Sequence, residues 1–128
     1  MKKRIVLSAL AAILLLAAIG CANKALPKEG TYLIDVTLTG GTGKAKIQSP
    51  AELVVFQDGQ ASLVVIWSSD KYDYMKVNGQ KITPSSTAGG SVFVIPVPVL
   101  GKAFTVIGDT TAMSTPHEVE YSLRLDLQ

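Results

Sequence analysis

Residues 51–67 read Ala51-Glu52-Leu53-Val54-Val55-Phe56-Gln57-Asp58-Gly59-Gln60-Ala61-Ser62-Leu63-Val64-Val65-Ile66-Trp67. Two runs rich in β-branched and apolar residues, Ala51 to Gln57 and Gln60 to Trp67, flank Asp58-Gly59, a dipeptide that suits the backbone of a tight hairpin turn. The stretch therefore predicts two antiparallel strands. Toward the N-terminus, Thr31 to Thr39 alternates with period two. Tyr32, Ile34, Val36 and Leu38 share one face, and Asp35, Thr37 and Thr39 share the other with Leu33, as in a half-buried strand. Gly40-Gly41-Thr42-Gly43 breaks that strand, and Lys44 to Gln48 predicts a short second one before Ser49-Pro50. Toward the C-terminus, Tyr72 to Val77, Asn78-Gly79 and Gln80 to Ile82 predict a further hairpin. Pro84 to Gly90 reads as a loop. Ser91 to Val99 and Ala103 to Ile107 follow as strands, the first pushed to a sheet edge or a bulge by Pro96 and Pro98. In the last strand Val119, Tyr121, Leu123, Leu125 and Leu127 alternate with Glu118, Glu120, Ser122, Arg124 and Asp126.

No stretch of residues 31–128 keeps a helical period for more than two turns. About seven to nine short strands, with turns every 8 to 12 residues, predict an all-β fold: an antiparallel β-sandwich in preference to a small barrel. In such folds the loops at the strand ends are the expected home of function.

The N-terminus carries a different pattern. Lys2, Lys3 and Arg4 precede an apolar run from Ile5 to Ile19, which ends in Ala18-Ile19-Gly20-Cys21. A basic start, an apolar stretch and small residues before a cleavage point describe a secretory signal peptide. Crossing a bilayer permanently takes about 20 apolar residues, more than this run offers. Ala18-Ile19-Gly20-Cys21 resembles the lipobox of bacterial lipoproteins, with Ala18 where leucine is usual. The resemblance implies cleavage before Cys21 and lipidation, including palmitate, of the new N-terminus. The expected organisation is a signal peptide over 1–20, a lipidated N-terminus and linker over 21–30, and a β-sandwich domain over 31–128. The expected location is extracytoplasmic, anchored by lipid to the bacterial cell membrane.

Loss of residues 1–20 removes three of the 12 basic residues and leaves nine against 10 acidic ones. The basic balance of the whole chain thus belongs to the signal peptide, and no basic surface argues for nucleic acid. Cys21 is the only cysteine, so no internal disulfide forms and stability must come from an apolar core. With one histidine, no Gly-x-Ser-x-Gly and no Cys/His cluster, the chain lacks the material for familiar nucleophilic triads and zinc sites, and an enzyme is not expected. Gly40-Gly41-Thr42-Gly43 lacks the Lys-Ser/Thr ending of a phosphate loop and reads as a turn.

Two segments stand out. Trp67 to Met75 packs Trp67, Tyr72, Tyr74 and Met75 with Ser68, Ser69 and Lys71, and Asp109 to His117 holds three threonines, Met113 and the only histidine. As plain structure, Trp67 and Tyr72 are core aromatics, Met113 is a gap filler, and Asp109 and its threonines are turn residues bonded to nearby backbone. His117 shares its strand phase with Val119 and Tyr121. Four residues of strand cover about 13 Å, so His117 and Tyr121 cannot both bind one metal unless the strand bends.

From Ala51 onward the chain resembles a near-iron-transporter (NEAT) domain, an immunoglobulin-like haem-binding module of Gram-positive surfaces. The matching pieces are Ala51 to Trp67, the segment Ser68 to Tyr72, Val92-Phe93-Val94-Ile95-Pro96-Val97, and His117-Glu118-Val119-Glu120-Tyr121. In that family a serine-and-tyrosine segment covers one haem face and the last hairpin presents Tyr-x-x-x-Tyr, whose first tyrosine ligates iron. Here His117 takes the first position and Tyr121 the second. Histidine is a good haem ligand, so the exchange is compatible with binding by different chemistry or with its loss. The resemblance implies an immunoglobulin-like sandwich and a lipoprotein that binds haem, or a related iron ligand, for uptake beside an ABC-type transporter component. It would place His117 on the iron with Tyr121 or Met113 behind it, Ser68, Ser69 and Lys71 on the propionates, and Tyr72, Tyr74 and Met75 along the haem face. The alternative is an interaction module that docks an envelope partner through Trp67, Tyr72 and Tyr74 as exposed anchors.

Overall fold

The computed structural model of the protein describes residues 26–112 and 115–128. Its strands are β1 Gly30–Gly40, β2 Ala51–Val55, β3 Ala61–Ile66, β4 Tyr72–Val77, β5 Gln80–Ile82, β6 Val92–Pro96, β7 Phe104–Thr110 and β8 His117–Leu127. All neighbours pair antiparallel in the order β5-β4-β7-β8-β1-β2-β3-β6. Strand β6 curls back toward β4 and β5, so the sheet rolls into a nearly closed, immunoglobulin-like sandwich. Strand β6 lies at a sheet edge, as Pro96 and Pro98 require, because proline has no N–H to give a second neighbour.

The two hairpins turn differently. Asn78 and Gly79 both have positive φ, 52° and 76°, the two-residue geometry for which Asn-Gly is suited. The Asp58-Gly59 turn takes more chain than expected. Gly59 N–H bonds Phe56 O, Phe56 N–H bonds Gln60 O, and Asp58 Oδ1 accepts the Gln60 N–H. This is a type I turn closed by a glycine at φ 87°, a three-residue loop. Strands β2 and β3 consequently stop at Val55 and start at Ala61. Lys44 to Gln48 is not a strand either: it makes one bridge, Ile47 to Trp67, with bonds from Gln48 N–H to Ile66 O and Ser68 N–H to Lys46 O.

Alternation does the rest. Leu53, Val55, Leu63, Val65, Phe93 and Ile95 point inward from β2, β3 and β6, and Leu123 and Leu125 from β8. Strand β4 departs from alternation because its pairing with β7 shifts between Tyr72 and Tyr74. That irregularity at Asp73 lets both Tyr72 and Met75 face the core.

Strand β7 runs to Thr110, beyond the expected end at Ile107, and takes Asp109 out of the turn into which the sequence placed it. Asp109 is only 5% exposed, with Tyr74 on β4 and Glu118 on β8 opposite it. Its carboxyl is held above the ordinary 3.8, first by a hydrogen bond to Asp73, then by burial and by the charges of Asp73 and Glu118, with His117 opposing. A folded-state value above the unfolded one gives stability that is present below 3.8 and is lost as pH rises through the folded value. Asp109→Asn is therefore expected to raise the melting temperature at pH 7 and to leave it unchanged at roughly pH 3. Melts at both pH values check this; a fall at pH 7 would contradict it.

The strand directions sort the connections between two ends. The β1–β2, β3–β4, β5–β6 and β7–β8 connections lie at one end. Gly30, the turns at Phe56 and Asn78, the β6–β7 connection and the C-terminus lie at the other.

Candidate functional site

At the end that gathers the four connections, a cleft of about 410 Å³ opens between three of them. Gly41, Thr42, Lys44 and Ala45 line it from the β1–β2 connection, and Ser68 and Ser69 from the β3–β4 connection. Thr110, Ala112, His117 and Val119 form the β7–β8 side, with Tyr72 and Tyr121 deeper.

The floor is an aromatic stack. Trp67, 1% exposed, lies flat on Tyr72 with ring centroids 3.9 Å apart and planes 19° apart, and Tyr121 tilts against it at 5.3 Å. The Tyr72 and Tyr121 hydroxyls are 2.8 Å apart, and the Tyr72 N–H bonds the Oγ of fully buried Ser91. Burial, followed by the hydrogen bond that its hydroxyl shares with Tyr121, pushes the Tyr72 phenol above its ordinary range, so it stays protonated at neutral pH. Glycine makes room for the stack. A Cβ at Gly108 on β7 would lie 3.1 Å from the Tyr72 ring and 3.4 Å from Trp67. At Gly41, φ is 62° and a Cβ would lie 3.1 Å from the Tyr121 ring.

His117 opens β8 opposite Thr110 and is exposed. It sits at the rim, and Tyr121, 4% exposed, lies one strand face below it. The strand stays regular between them, which keeps the two Cα atoms about 13 Å apart. The threonines behave as turn residues: Thr110 Oγ1 accepts the Ala112 N–H, and both the N–H and the hydroxyl of Thr111 bond Lys71 O.

Ser68, Ser69, Tyr72, His117 and Tyr121 thus meet in one cleft, and three other candidates stand outside it. Lys71 contributes its carbonyl to the β7–β8 connection, while its ammonium lies 3.8 Å from Asp70; Lys44 is the lysine that lines the cleft. Tyr74 is on the outer face, bonded to Glu118 beneath the Lys81 ammonium, because the irregularity at Asp73 reverses its phase. The Glu118 carboxyl is held below the usual range, first by Lys76 and then by Tyr74. Met75 is fully buried in the core, away from the residues that line the cleft. Trp67 and Tyr72, as buried residues, are not the exposed anchors that a docking surface would use. Met113 and Cys21 lie outside the described residues. The β1–β2 contribution was missed because Gly40 to Gly43 reads as a bare turn; only the pairing of Gly40 with Tyr121 brings that turn over the site.

Eight antiparallel strands rolled into a near-closed sandwich, with a cleft among the connections at its end, define a small immunoglobulin-like all-β domain. No family model matches the chain, and no curated protein matches it. Among solved structures, the NEAT5 domain of IsdX2, a B. anthracis hemophore in complex with heme, superposes with a TM-score of 0.59 at 17% identity, covering 79% of this chain and 98% of that one. A point mutant of the same domain in complex with heme gives a TM-score of 0.62 at 18% identity, covering 80% and 98%.

Proposed function

We propose that the protein is a membrane-tethered extracytoplasmic lipoprotein whose end cleft holds haem, or a related iron ligand, for uptake. The observation that carries this reading is the gathering of His117, Tyr121, Ser68 and Ser69 into one slot, in a fold shared with a NEAT domain known in complex with heme.

The residues fit such a ligand. Val119, Tyr72 and Tyr121 offer an apolar wall to a flat conjugated ring, and Lys44, Ser68 and Ser69 offer polar groups to carboxylates at the rim. Among the described residues, no three of His, Cys, Asp and Glu are placed to hold a bare metal ion. Haem, when bound, supplies an iron already held by four nitrogens, so one or two protein donors suffice. His117, exposed and at the mouth, takes that donor role. Tyr121 keeps its hydroxyl bonded to Tyr72 and backs the slot. A lipid on Cys21 keeps the loaded domain beside the membrane, where an ABC-type transporter component can receive the ligand.

Residues 22–128 mixed with hemin should develop a Soret band at one equivalent, and His117→Ala should weaken binding by about tenfold or more, the equivalent of 1.4 kcal/mol. No spectral change at stoichiometric hemin overturns the reading. The lipid is tested separately, by the mass of the N-terminal peptide of the membrane-extracted protein.

A further inference from the structure

The two outer faces of the sandwich differ in chemistry. Over β4, β7 and β8 the outward side chains include Lys76, Glu118, Glu120 and Arg124, with Lys76 paired to Glu118 at 2.8 Å. Over β2, β3, β6 and the Leu33 end of β1 they are mostly apolar, interrupted by Thr31, Glu52 and Ser62, while Asp35, Thr37 and Thr39 continue β1 as a polar margin. Val64 faces outward beside Val94, as does Ile66 beside Val92 and Ser62 beside Pro96. Leu33 stands beside Glu52, which with Asp35 further along β1 carries the charge on the strands of this face, and Val54 stands between Thr31 and Ser62. Leu33 is 58% exposed, Val94 49% and Phe56 48%. Adjacent strands lie about 4.8 Å apart, so these side chains form one continuous surface. Apolar patches of that kind mark contact with a partner or a lipid surface.

The chain itself indicates what covers it. Leu26 packs against the core and the Tyr32 hydroxyl bonds Lys28 O, so only the stretch from Cys21 to Leu26 is left as a tether. Five residues reach at most about 18 Å when fully extended. A lipid at Cys21 therefore keeps the Gly30 end of the domain close to the bilayer. Gly30 pairs with Val55, the residue before Phe56, so the Phe56 turn is at that same end, and Phe56 continues the apolar face down to it. A second copy is the poorer occupant. Face-to-face packing would bury Glu52 with no basic residue on these strands to pair with it, and a buried unpaired carboxylate is costly. At a bilayer surface it can stay among hydrated headgroups.

We infer that the outer face of β1, β2, β3 and β6 rests on the bilayer interface, with Phe56, Leu33 and Val94 as its apolar contacts. The inference relies on the tethering part of the proposed function and not on haem. In this orientation the charged face of β4, β7 and β8 points to solvent. The cleft opens at the end away from the tether.

An N-terminal His-tag in place of residues 1–21 attaches the domain to phosphatidylcholine vesicles that contain a nickel-chelating lipid. The protein then has no native cysteine, and an NBD label is placed at Phe56→Cys, Val94→Cys or Glu120→Cys. Attachment should shift the emission to the blue and brighten it at positions 56 and 94, and leave position 120 unchanged. Water-like emission at all three positions overturns the inference. So does a blue shift at 94 that appears without vesicles and grows with protein concentration, which would identify a second copy instead. Because the tag replaces the lipid, failure here is distinct from failure of lipidation at Cys21.

Discussion

Trp67→Ala is expected to cost about 3–5 kcal/mol of stability and to abolish the cleft. Trp67 is the largest fully buried side chain, and its indole is the plate on which Tyr72 lies and against which Tyr121 leans. Removing it opens a void under both tyrosines, which otherwise hold each other through their hydroxyls and an edge-on ring contact at 6.5 Å. In a domain of about 100 residues each kcal/mol corresponds to roughly 4–8 °C of melting temperature, so the loss is large in a thermal melt. Trp67→Phe should cost only about 1–2 kcal/mol. The ring still stacks on Tyr72, and the indole N–H, which has no hydrogen-bond partner among the described residues, is no longer buried. Equal losses for the two variants would show that the stack does not support the fold.

The second large effect is expected at Gly90. Its φ is 134°, and a Cβ there would lie 2.4 Å from the Trp67 carbonyl oxygen, a backbone atom that cannot swing aside. The β5–β6 connection crosses Trp67 at this point and is fastened by bonds from Trp67 N–H to Ser91 O and from Ser91 N–H to Ser69 O. Gly90→Ala should therefore cost on the order of 3 kcal/mol, as conformational strain and overpacking combine. It also displaces Ser91, whose hydroxyl holds the Tyr72 N–H. Gly89→Ala is the control. Its φ is 80° but nothing lies within 4 Å of a Cβ, so only a backbone cost of about 1–2 kcal/mol applies. Urea unfolding of the two variants isolates the clash as their difference. A Gly90→Ala as stable as Gly89→Ala would refute the close crossing.

Much of the fold was legible because period two and turn dipeptides are local signals. The strand Tyr72 to Val77, its Asn78-Gly79 turn and Gln80 to Ile82 are read to the residue. The failures share a cause: they depend on partners distant in the chain. Asp109 reads as a turn residue, yet pairing with Tyr74 and Glu118 draws it into β7. Tyr74 and Met75 read as companions of Tyr72, but the shifted β4–β7 register sends one outward and the other into the core. The cleft was half legible. Ser68, Ser69, His117 and Tyr121 belong to conspicuous segments, whereas Thr42 and Lys44 join them only because Gly40 pairs with Tyr121. The apolar outer face was visible as unbroken valine-rich runs in β3 and β6. Alternation alone does not tell whether the second face of such a run is covered.

Amide chemical-shift mapping with diamagnetic gallium protoporphyrin tests the proposed haem site in the end cleft most directly, because it reads location as well as binding. One equivalent added to residues 22–128 should shift amides at 41–45, 68–72, 110–112 and 117–121 and leave the Phe56 to Gln60 turn at the opposite end unchanged. Shifts centred on Val64 and Val94, or scattered over the sheet, would show an apolar ring held by the outer face and would contradict the assignment of the cleft.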